Sequence, residues 1–391
     1  MRIIVKKVKT MKNLNKSLLC EKLIARAEND LSEHNISGAS LIVKQCGKTV
    51  FRRHFGTSSP VGSDPVTDDT LFRLASMTKP ITSVAVMSLY ERGKLDLYDP
   101  IEKYLPQFAD RYTAEVTDDG VRLVRPVSVK PTILHLLTHT SGLLNGKSGE
   151  YYLKAKTKAD DLTLDSVVEL YSKLGLEFEP FSQTQYNGTA AFDLLAKIIE
   201  VLTDKPYEDY LRETIFEPCG MVDTTFVPSD EQWKRLITMH NKVDGKAVVF
   251  DMKPGCVFES TPVTHPLGGA GLISSLDDYS AFSEMLLNNG IGANGRVLSA
   301  LAVRMISTPH VPKAIMGGPV QWGLGVRVIT GSQYKRLDVG TYGWSGAYGT
   351  HFFIDPENRI TAVYLKNAKY DGGAGSRTGM TFECDVHDSM Q

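Results

Sequence analysis

The stretch Leu71-Phe-Arg-Leu-Ala-Ser-Met-Thr-Lys-Pro-Ile-Thr-Ser83 is the most informative part of this sequence. Ser76 stands three residues before Lys79, at the start of an apolar run with helical spacing that continues to Leu89. Pro80 is tolerated there because the first turn of a helix has no N–H partner to lose. Residues three apart on a helix share a face, so the Ser76 hydroxyl and the Lys79 amine are expected to lie one turn apart on the same side.

This pair has the chemistry that a nucleophilic site needs. A serine hydroxyl attacks poorly unless a base removes its proton, and a lysine becomes such a base where burial and a helix N-terminus favour its neutral form. The N–H of Ser76, unpaired at the helix start, can also point at a developing oxyanion. The tetrad alone favours an ordinary capping serine with a surface lysine. A second tetrad, Ser332 to Lys335, follows Gly331 in a polar stretch and is interpreted as a solvated turn.

Composition narrows the function classes. The 391 residues are 42% hydrophobic and 23% charged, which is typical of a globular protein. The 44 Lys and Arg balance 45 Asp and Glu, so the totals argue against nucleic acid as a partner. The sequence contains no run of the ~20 apolar residues that a membrane span requires.

The cysteines and the N-terminal residues indicate in which cellular compartment the protein is located. The five cysteines are scattered without a C-x-x-C pair, which argues against a disulfide framework or a zinc site and favours a reducing environment. The basic N-terminus lacks the apolar stretch of ~7–15 residues that a signal peptide needs. We therefore predict a cytoplasmic protein, whose true start could be Met11.

Hydrophobic periodicity predicts an α+β fold. Helical spacing dominates residues 133–216, whereas strand patterns occur near both ends of the chain. We expect an antiparallel sheet built from N- and C-terminal segments and flanked by helices, with an inserted, mainly helical lobe. The predicted domains are 1–110 with 265–391, and 111–264; a cleft between them is the default place for a site. The predicted helices and strands are a helix over 18–34, a hairpin of 39–44 and 49–55, strands at 323–329, near Thr341, at 350–354 and at 360–365, and a closing helix from about Thr378.

The Ser76 stretch, with the segments 93–100 and 104–106, resembles the serine β-lactamase and penicillin-binding-protein superfamily. The resemblance is closest to the class C β-lactamase-like branch that includes family VIII carboxylesterases. Four further segments fit in the expected order, and together the matches run from about residue 20 to 370. These segments are 133–143, 180–187, 268–274 and 344–350.

The resemblance implies roles for individual residues. Ser76 would be the acylated nucleophile and Lys79 its partner base. Tyr186 matches the tyrosine of the family's Tyr-x-Asn element and would relay the proton. The family usually has Asn two residues after this tyrosine, where this chain has Gly188, while Asn187 follows Tyr186 directly. An altered loop could still place Asn187 against the substrate.

The third family element is Lys-Thr-Gly in β-lactamases, and its counterpart here is Trp344-Ser345-Gly346. The resemblance places this backbone on an edge strand along the acyl group. The N–H of Ala347 would then complete the oxyanion hole with that of Ser76. Replacing the lysine by Trp344 removes a cation that would pair with a substrate carboxylate, so the resemblance favours neutral acyl substrates.

The resemblance therefore implies a serine hydrolase that works through an acyl-enzyme, with a carboxylesterase on small acyl esters favoured. The alternatives are a β-lactamase, a D-amino-acid peptidase or an acyltransferase of the same fold, or a catalytically inactive binding scaffold. The partner would be a small-molecule ester or amide, and we expect no cofactor and no metal. His135 and His139 have the spacing of two metal ligands on a helix, but we interpret them as structural. The oligomeric state stays open.

Overall fold

The computed structural model describes residues 10–117, 120–143, 163–250 and 265–391. Within these ranges no helix combines the length and the apolar character needed to cross a membrane. Helices and antiparallel sheet are mixed, which confirms the predicted α+β class.

The helices described are α1 Lys16–Ser32, α2 Thr78–Glu91, α3 Ile133–Leu137, α4 Leu164–Ser172, α5 Ala190–Thr203, α6 Tyr207–Leu211, α7 Glu217–Cys219, α8 Asp230–Arg235, α9 Leu276–Leu287, α10 Ala300–Ile306 and α11 Arg377–His387. Short 3₁₀ turns cover Ala75–Met77, Ile101–Lys103 and Pro106–Phe108, and a π-helical turn, Arg212–Phe216, joins α6 to α7. The predicted first and closing helices are confirmed as α1 and α11.

The strands described are β1 Gly38–Gln45, β2 Lys48–Gly56, β3 Phe72–Arg73, β4 Tyr112–Thr117, β5 Gly120–Pro126, β6 His240–Val243, β7 Lys246–Val249, β8 Ile273–Ser274, β9 Val320–Trp322, β10 Arg327–Ile329, β11 Tyr342–Ser345, β12 His351–Asp355 and β13 Ile360–Leu365. Seven of them form one antiparallel sheet in the order β2-β1-β13-β12-β11-β10-β9. All seven come from 38–56 and 320–365, which confirms the predicted sheet of N- and C-terminal segments.

The two faces of this sheet are buried in different cores. Along β12, Phe352 and Ile354 belong to the core that contains α2 and α9, whereas Phe353 belongs to the core that contains α1 and α11. Successive strand residues point to opposite faces, so a run of consecutive buried residues identifies a strand covered on both sides. The sheet is therefore a central layer between two layers of helices.

The predicted strand over 323–329 is wrong in its extent. Two short strands, β9 and β10, occupy this region, and the chain turns between them through Gly325, which has a φ of +69°. A Cβ at Gly325 would lie 2.1 Å from Ser83 Oγ of α2. The turn therefore lets the sheet approach the helix closely.

The edge-strand prediction for Trp344–Gly346 is also wrong. β11 lies between β12 and β10, because the β9–β10 hairpin adds two strands outside it. β10 pairs with β11 at Gly343 and Tyr342, so Trp344 and Ser345 continue past this pairing towards the end of β11. The end of β11 is therefore where its backbone can face another group.

The division into 1–110 with 265–391, and 111–264, stays a prediction, and its second boundary adjoins residues outside the described ranges. The described part of 111–264 carries α3 to α8 and also two hairpins, β4–β5 and β6–β7. One buried apolar cluster includes side chains of α4 and α5 as well as α2 and the sheet. A continuous core thus joins the helices of the middle of the chain to the sheet.

Truncating Phe352 to alanine should destabilise the protein by about 3–5 kcal/mol, because the side chain is fully buried and its ring packs edge-on against Tyr279 at 5.1 Å. Val222→Ala is the matched control, since Val222 is 85% exposed, and it should change the free energy of unfolding by less than about 0.5 kcal/mol. Guanidinium unfolding measures both. Equal effects of the two substitutions would contradict the described core.

Candidate active site

Ser76 lies in the 3₁₀ turn that leads directly into α2. The residue before it, Ala75, has a φ of +48°, in the left-handed region that non-glycine residues rarely adopt. Both backbone polar groups of Leu74 are hydrogen-bonded. Its N–H donates to Leu272 O at 2.9 Å, and its carbonyl accepts from Thr350 Oγ1 at 2.8 Å. The sheet and the neighbouring loop therefore fix the strained turn that presents the Ser76 hydroxyl.

Lys79 is the second residue of α2 and is completely buried. Its Nζ donates to Gly188 O at 2.7 Å, to Gly269 O at 2.8 Å and to Ser76 Oγ at 3.4 Å. Three acceptors match the three N–H bonds of an ammonium group. The structure thus confirms that Ser76 and Lys79 lie on one side of the helix start, within reach of each other.

Tyr186 comes to the same place from a distant part of the chain. Its hydroxyl donates to Ser76 Oγ at 2.7 Å and accepts from Trp344 Nε1 at 3.3 Å. The centroid of its ring lies 5.2 Å from Lys79 Nζ. Three side chains that the sequence singled out, Ser76, Lys79 and Tyr186, are therefore brought together.

Asn187 is used differently from the predicted substrate contact. Its side chain is buried, its Nδ2 donates to Leu143 O, and its Oδ1 accepts from the N–H of Ala191 at 3.0 Å. The amide thus caps the first turn of α5. The backbone carbonyl of the next residue, Gly188, contacts Lys79 instead. The asparagine that makes these bonds stands one residue earlier than in the family motif.

The Trp344–Ala347 segment divides its side chains between two faces. Trp344 points towards Tyr186, whereas Ser345 Oγ is hydrogen-bonded to His351 Nδ1 at 2.7 Å on the opposite side of the sheet. Ser345 therefore does not share the face of Trp344, as the alternation of a strand requires. The predicted substrate contact of Trp344–Gly346 concerns the backbone of this segment, and it stays a prediction.

Gly346 brings the end of β11 against the turn that carries Ser76. A Cβ at this position would lie 2.2 Å from Leu74 O, so glycine is needed for the close approach. Its N–H donates to Thr350 O at 2.7 Å, and the exposed Ala347 follows directly. The Gly346 backbone therefore lies against the Ser76 turn, and the part of the Ala347 N–H in an oxyanion hole stays a prediction.

Two elements of the site were not assigned roles by the sequence. The Gly269 carbonyl holds Lys79, and the preceding Gly268 donates its N–H to the fully buried Asp193 at 3.0 Å. A Cβ on Gly268 would lie 2.2 Å from Phe192 O, so this loop packs directly against α5. The sequence feature that could have predicted this contact is the pair of adjacent glycines, Gly268 and Gly269, because glycines often occur where two backbones approach closely.

The wall beside the three polar groups is aromatic and neutral. The His139 ring lies 4.7 Å from the Tyr186 ring and 4.5 Å from that of Trp322, and the rings of Trp322 and Trp344 are 4.8 Å apart. Burial, with a smaller contribution from the Lys79 charge, holds the pKa of His139 well below its usual value. Within the described residues no cluster of potential metal ligands occurs.

The second tetrad is exposed, in line with its interpretation as a turn. Ser332 and Lys335 are both classed as exposed in the polar connection after β10. Ser332 therefore offers a matched control for Ser76.

Comparison with known proteins decides the family. Residues 22–380 match the model of the beta-lactamase family, almost the whole chain. The chain belongs to this family. Its members form a superfamily of serine hydrolases with this fold, so the predicted resemblance is confirmed.

Individual relatives span two kinds of activity. Esterase EstB of Burkholderia gladioli is 31% identical over 94% of this chain and 95% of its own. A putative D-alanyl-D-alanine carboxypeptidase of Escherichia coli K12 is 28% identical over 84% of this chain and 77% of its own. Among solved structures, EstCE1, a hydrolase with promiscuous acyltransferase activity, superposes with a TM-score of 0.81 at 24% identity, covering 95% of this chain and 99% of that one. The last comparison establishes the shared fold.

The buried histidines predict how stability depends on pH. Burial lowers the pKa of His135 to about 4, whereas an unfolded chain has the ordinary value of about 6.5. As the pH falls through 6.5, the unfolded chain takes up a proton that the folded one does not, so folding loses stability. The loss from His135 alone should reach about 2 kcal/mol at pH 5.

Unfolding titrations at pH 7, 6 and 5 measure this loss. His135→Asn is the matched variant, because asparagine does not titrate and keeps an acceptor for the Thr132 N–H that His135 Nδ1 now binds. Its stability should fall less steeply with acidification than that of the wild type. Identical slopes for the two proteins would contradict a neutral, buried His135.

Proposed function

We propose that this protein is a carboxylesterase that hydrolyses small neutral acyl esters through an acyl-enzyme on Ser76. The observation that carries the proposal is the convergence on Ser76 Oγ of the Tyr186 hydroxyl at 2.7 Å and of the buried Lys79 amine at 3.4 Å. A nucleophile with groups in hydrogen-bonding reach that can exchange a proton with it is the arrangement that covalent catalysis requires.

Acylation uses this arrangement as follows. The reactive state of the Lys79–Tyr186 pair carries one proton less than the hydrogen-bonded state described above, with Tyr186 as a phenolate beside the Lys79 ammonium. The phenolate oxygen, which is nearer to Oγ than the amine is, accepts the Ser76 proton. The Oγ–carbon bond forms as the ester carbonyl becomes an oxyanion, which the N–H groups of Ser76 and Ala347 receive. The carbon–oxygen bond to the alcohol then breaks, and the proton is delivered to the departing alkoxide.

Deacylation repeats the sequence with water as the nucleophile. The Tyr186–Lys79 unit takes a proton from water, the water oxygen bonds to the acyl carbon, and the carbon–Oγ bond breaks. The proton returns to Ser76, and the carboxylic acid leaves. An acceptor alcohol in place of water would give acyl transfer, which is the side activity named for EstCE1.

Two features favour an ester over a β-lactam or a peptide. The third family element carries the neutral indole of Trp344 where a β-lactamase carries a lysine, so this position provides no cation for a substrate carboxylate. Asn187 caps α5, so the amide expected to hold a substrate amide is engaged elsewhere. The similarity to EstB points the same way, and the similarity to the carboxypeptidase keeps the peptidase as the alternative. The predicted cytoplasmic location remains a prediction.

A substrate panel tests the proposal. Purified protein should turn over p-nitrophenyl butyrate rapidly and a chromogenic cephalosporin slowly, and mass spectrometry should find the acyl group on the peptide containing Ser76. Ser76→Ala should lower kcat for the ester by at least about 10³-fold, whereas Ser332→Ala should leave it unchanged. Turnover of the cephalosporin faster than that of the ester would favour a β-lactamase. No turnover of either substrate would favour a binding scaffold.

The hydrogen bond from Trp344 to Tyr186 makes a separate prediction. Trp344→Phe removes the N–H donor but keeps a ring, and it should lower kcat for the ester about 3- to 10-fold, the value of one neutral hydrogen bond. Trp322→Phe is the control, because the Trp322 N–H donates to Thr184 Oγ1 rather than to the Tyr186 hydroxyl. Steady-state kinetics on both variants measure the difference, and an equal loss in the control would refute a role for this bond.

A further inference from the structure

His139 combines two costly features beside the proposed catalytic groups. Its φ is +57°, a left-handed conformation that is rare for a residue with a side chain. Its ring is buried, and its Nε2 has no hydrogen-bond partner among the described residues. Strained backbone and unsatisfied buried polar groups persist where the surrounding structure enforces them, and they concentrate at functional sites.

His139 is hydrogen-bonded to residues on both sides of Tyr186 in the sequence. Its carbonyl oxygen accepts from the N–H of Gln185 at 3.0 Å and from Thr184 Oγ1 at 3.1 Å. Its Nδ1 accepts from the N–H of Asn187 at 3.1 Å. One residue thus binds the segments immediately before and after Tyr186.

The left-handed conformation explains how one residue makes all these contacts. It turns the His139 carbonyl towards Thr184 and Gln185 while the ring lies 4.7 Å from the Tyr186 ring. Because Nδ1 accepts a hydrogen bond from a backbone N–H, the ring proton must be on Nε2, and the ring must be neutral. Protonation would remove the Nδ1 acceptor and place a second cation near Lys79.

We propose that His139 is a positioning residue that sets the place of the Tyr186 hydroxyl relative to Ser76, through its Nδ1 acceptor and its ring. The inference rests on the proposed role of Tyr186 as the proton carrier. The acceptor fixes the Tyr186–Asn187 peptide unit, and the ring supports the phenol from one side. A misplacement of the hydroxyl by about 1 Å would be enough to slow proton transfer by about 10²-fold.

Two substitutions separate the acceptor from the ring. His139→Phe keeps an aromatic ring against Tyr186 and Trp322 but leaves the Asn187 N–H without its acceptor. His139→Asn keeps an acceptor near the Nδ1 position and tolerates the positive φ, but it loses the ring. We expect His139→Phe to lower kcat for p-nitrophenyl butyrate about 10- to 100-fold with KM changed by less than about 3-fold, and His139→Asn to lower it less.

A double-mutant cycle with Tyr186→Phe distinguishes an effect that acts through the Tyr186 hydroxyl from a general structural effect of the His139 substitution. If His139 acts through the Tyr186 hydroxyl, the effect of His139→Phe should shrink to less than about 3-fold once that hydroxyl is absent. An undiminished effect in the Tyr186→Phe background would overturn the inference. Should His139→Phe fail to fold by circular dichroism, the cycle is run with His139→Asn, whose smaller effect must vanish in the same way.

His135→Phe is the matched control. It also replaces a buried histidine of the same short segment, but the His135 ring stacks on Phe181 at 5.3 Å and not on Tyr186. It should change kcat by less than about 3-fold, and a loss as large as that of His139→Phe would overturn the inference. Failure of the proposed function is distinguishable, because it would show as full ester turnover by Tyr186→Phe or Ser76→Ala alone.

Discussion

A fully buried lysine amine that needs oxygen acceptors is the constraint on which the site depends. Leaving the Lys79 amine unpaired in the interior would cost several kcal/mol, on the order of the whole stability of a small domain. The chain meets this demand with the carbonyl oxygens of Gly188 and Gly269, which lie in two loops far apart in sequence. The same contacts that satisfy the amine therefore draw both loops onto the start of α2, next to Ser76.

Around Lys79, several residues have strained backbone conformations or make close backbone contacts. Ala75 and His139 both have positive φ, and Gly268 and Gly346 approach neighbouring carbonyl oxygens at distances that no Cβ would permit. Such conformations are stable only because rigid elements on all sides enforce them. The connection between β11 and β12 supplies one side through the hydrogen bond from Thr350 to Leu74. Helix α5 supplies another through Asp193, which accepts from the N–H of Gly268.

The departures from the family motifs acquire a physical meaning in the structure. The shifted asparagine has a structural use, because Asn187 caps α5 while the Gly188 carbonyl contacts Lys79. Trp344 donates to the Tyr186 hydroxyl without adding a charge. Both departures leave Ser76, Lys79 and Tyr186, the proposed nucleophile and proton carriers, in contact, and they change the groups around them. The proposal therefore concerns neutral esters.

The sequence by itself determined the parts that depend on local geometry. The spacing of Ser76 and Lys79 on one helix face, the strands near both chain ends, and the helices of the middle follow from periodicity and from turn chemistry. Only the tertiary structure decided that Tyr186 reaches Ser76, that backbone carbonyls hold Lys79, that β11 is an interior strand and that His139 binds both flanks of Tyr186. These features depend on the direction of backbone groups in loops and on strand order, which are set by long-range packing rather than by the residues nearest in sequence.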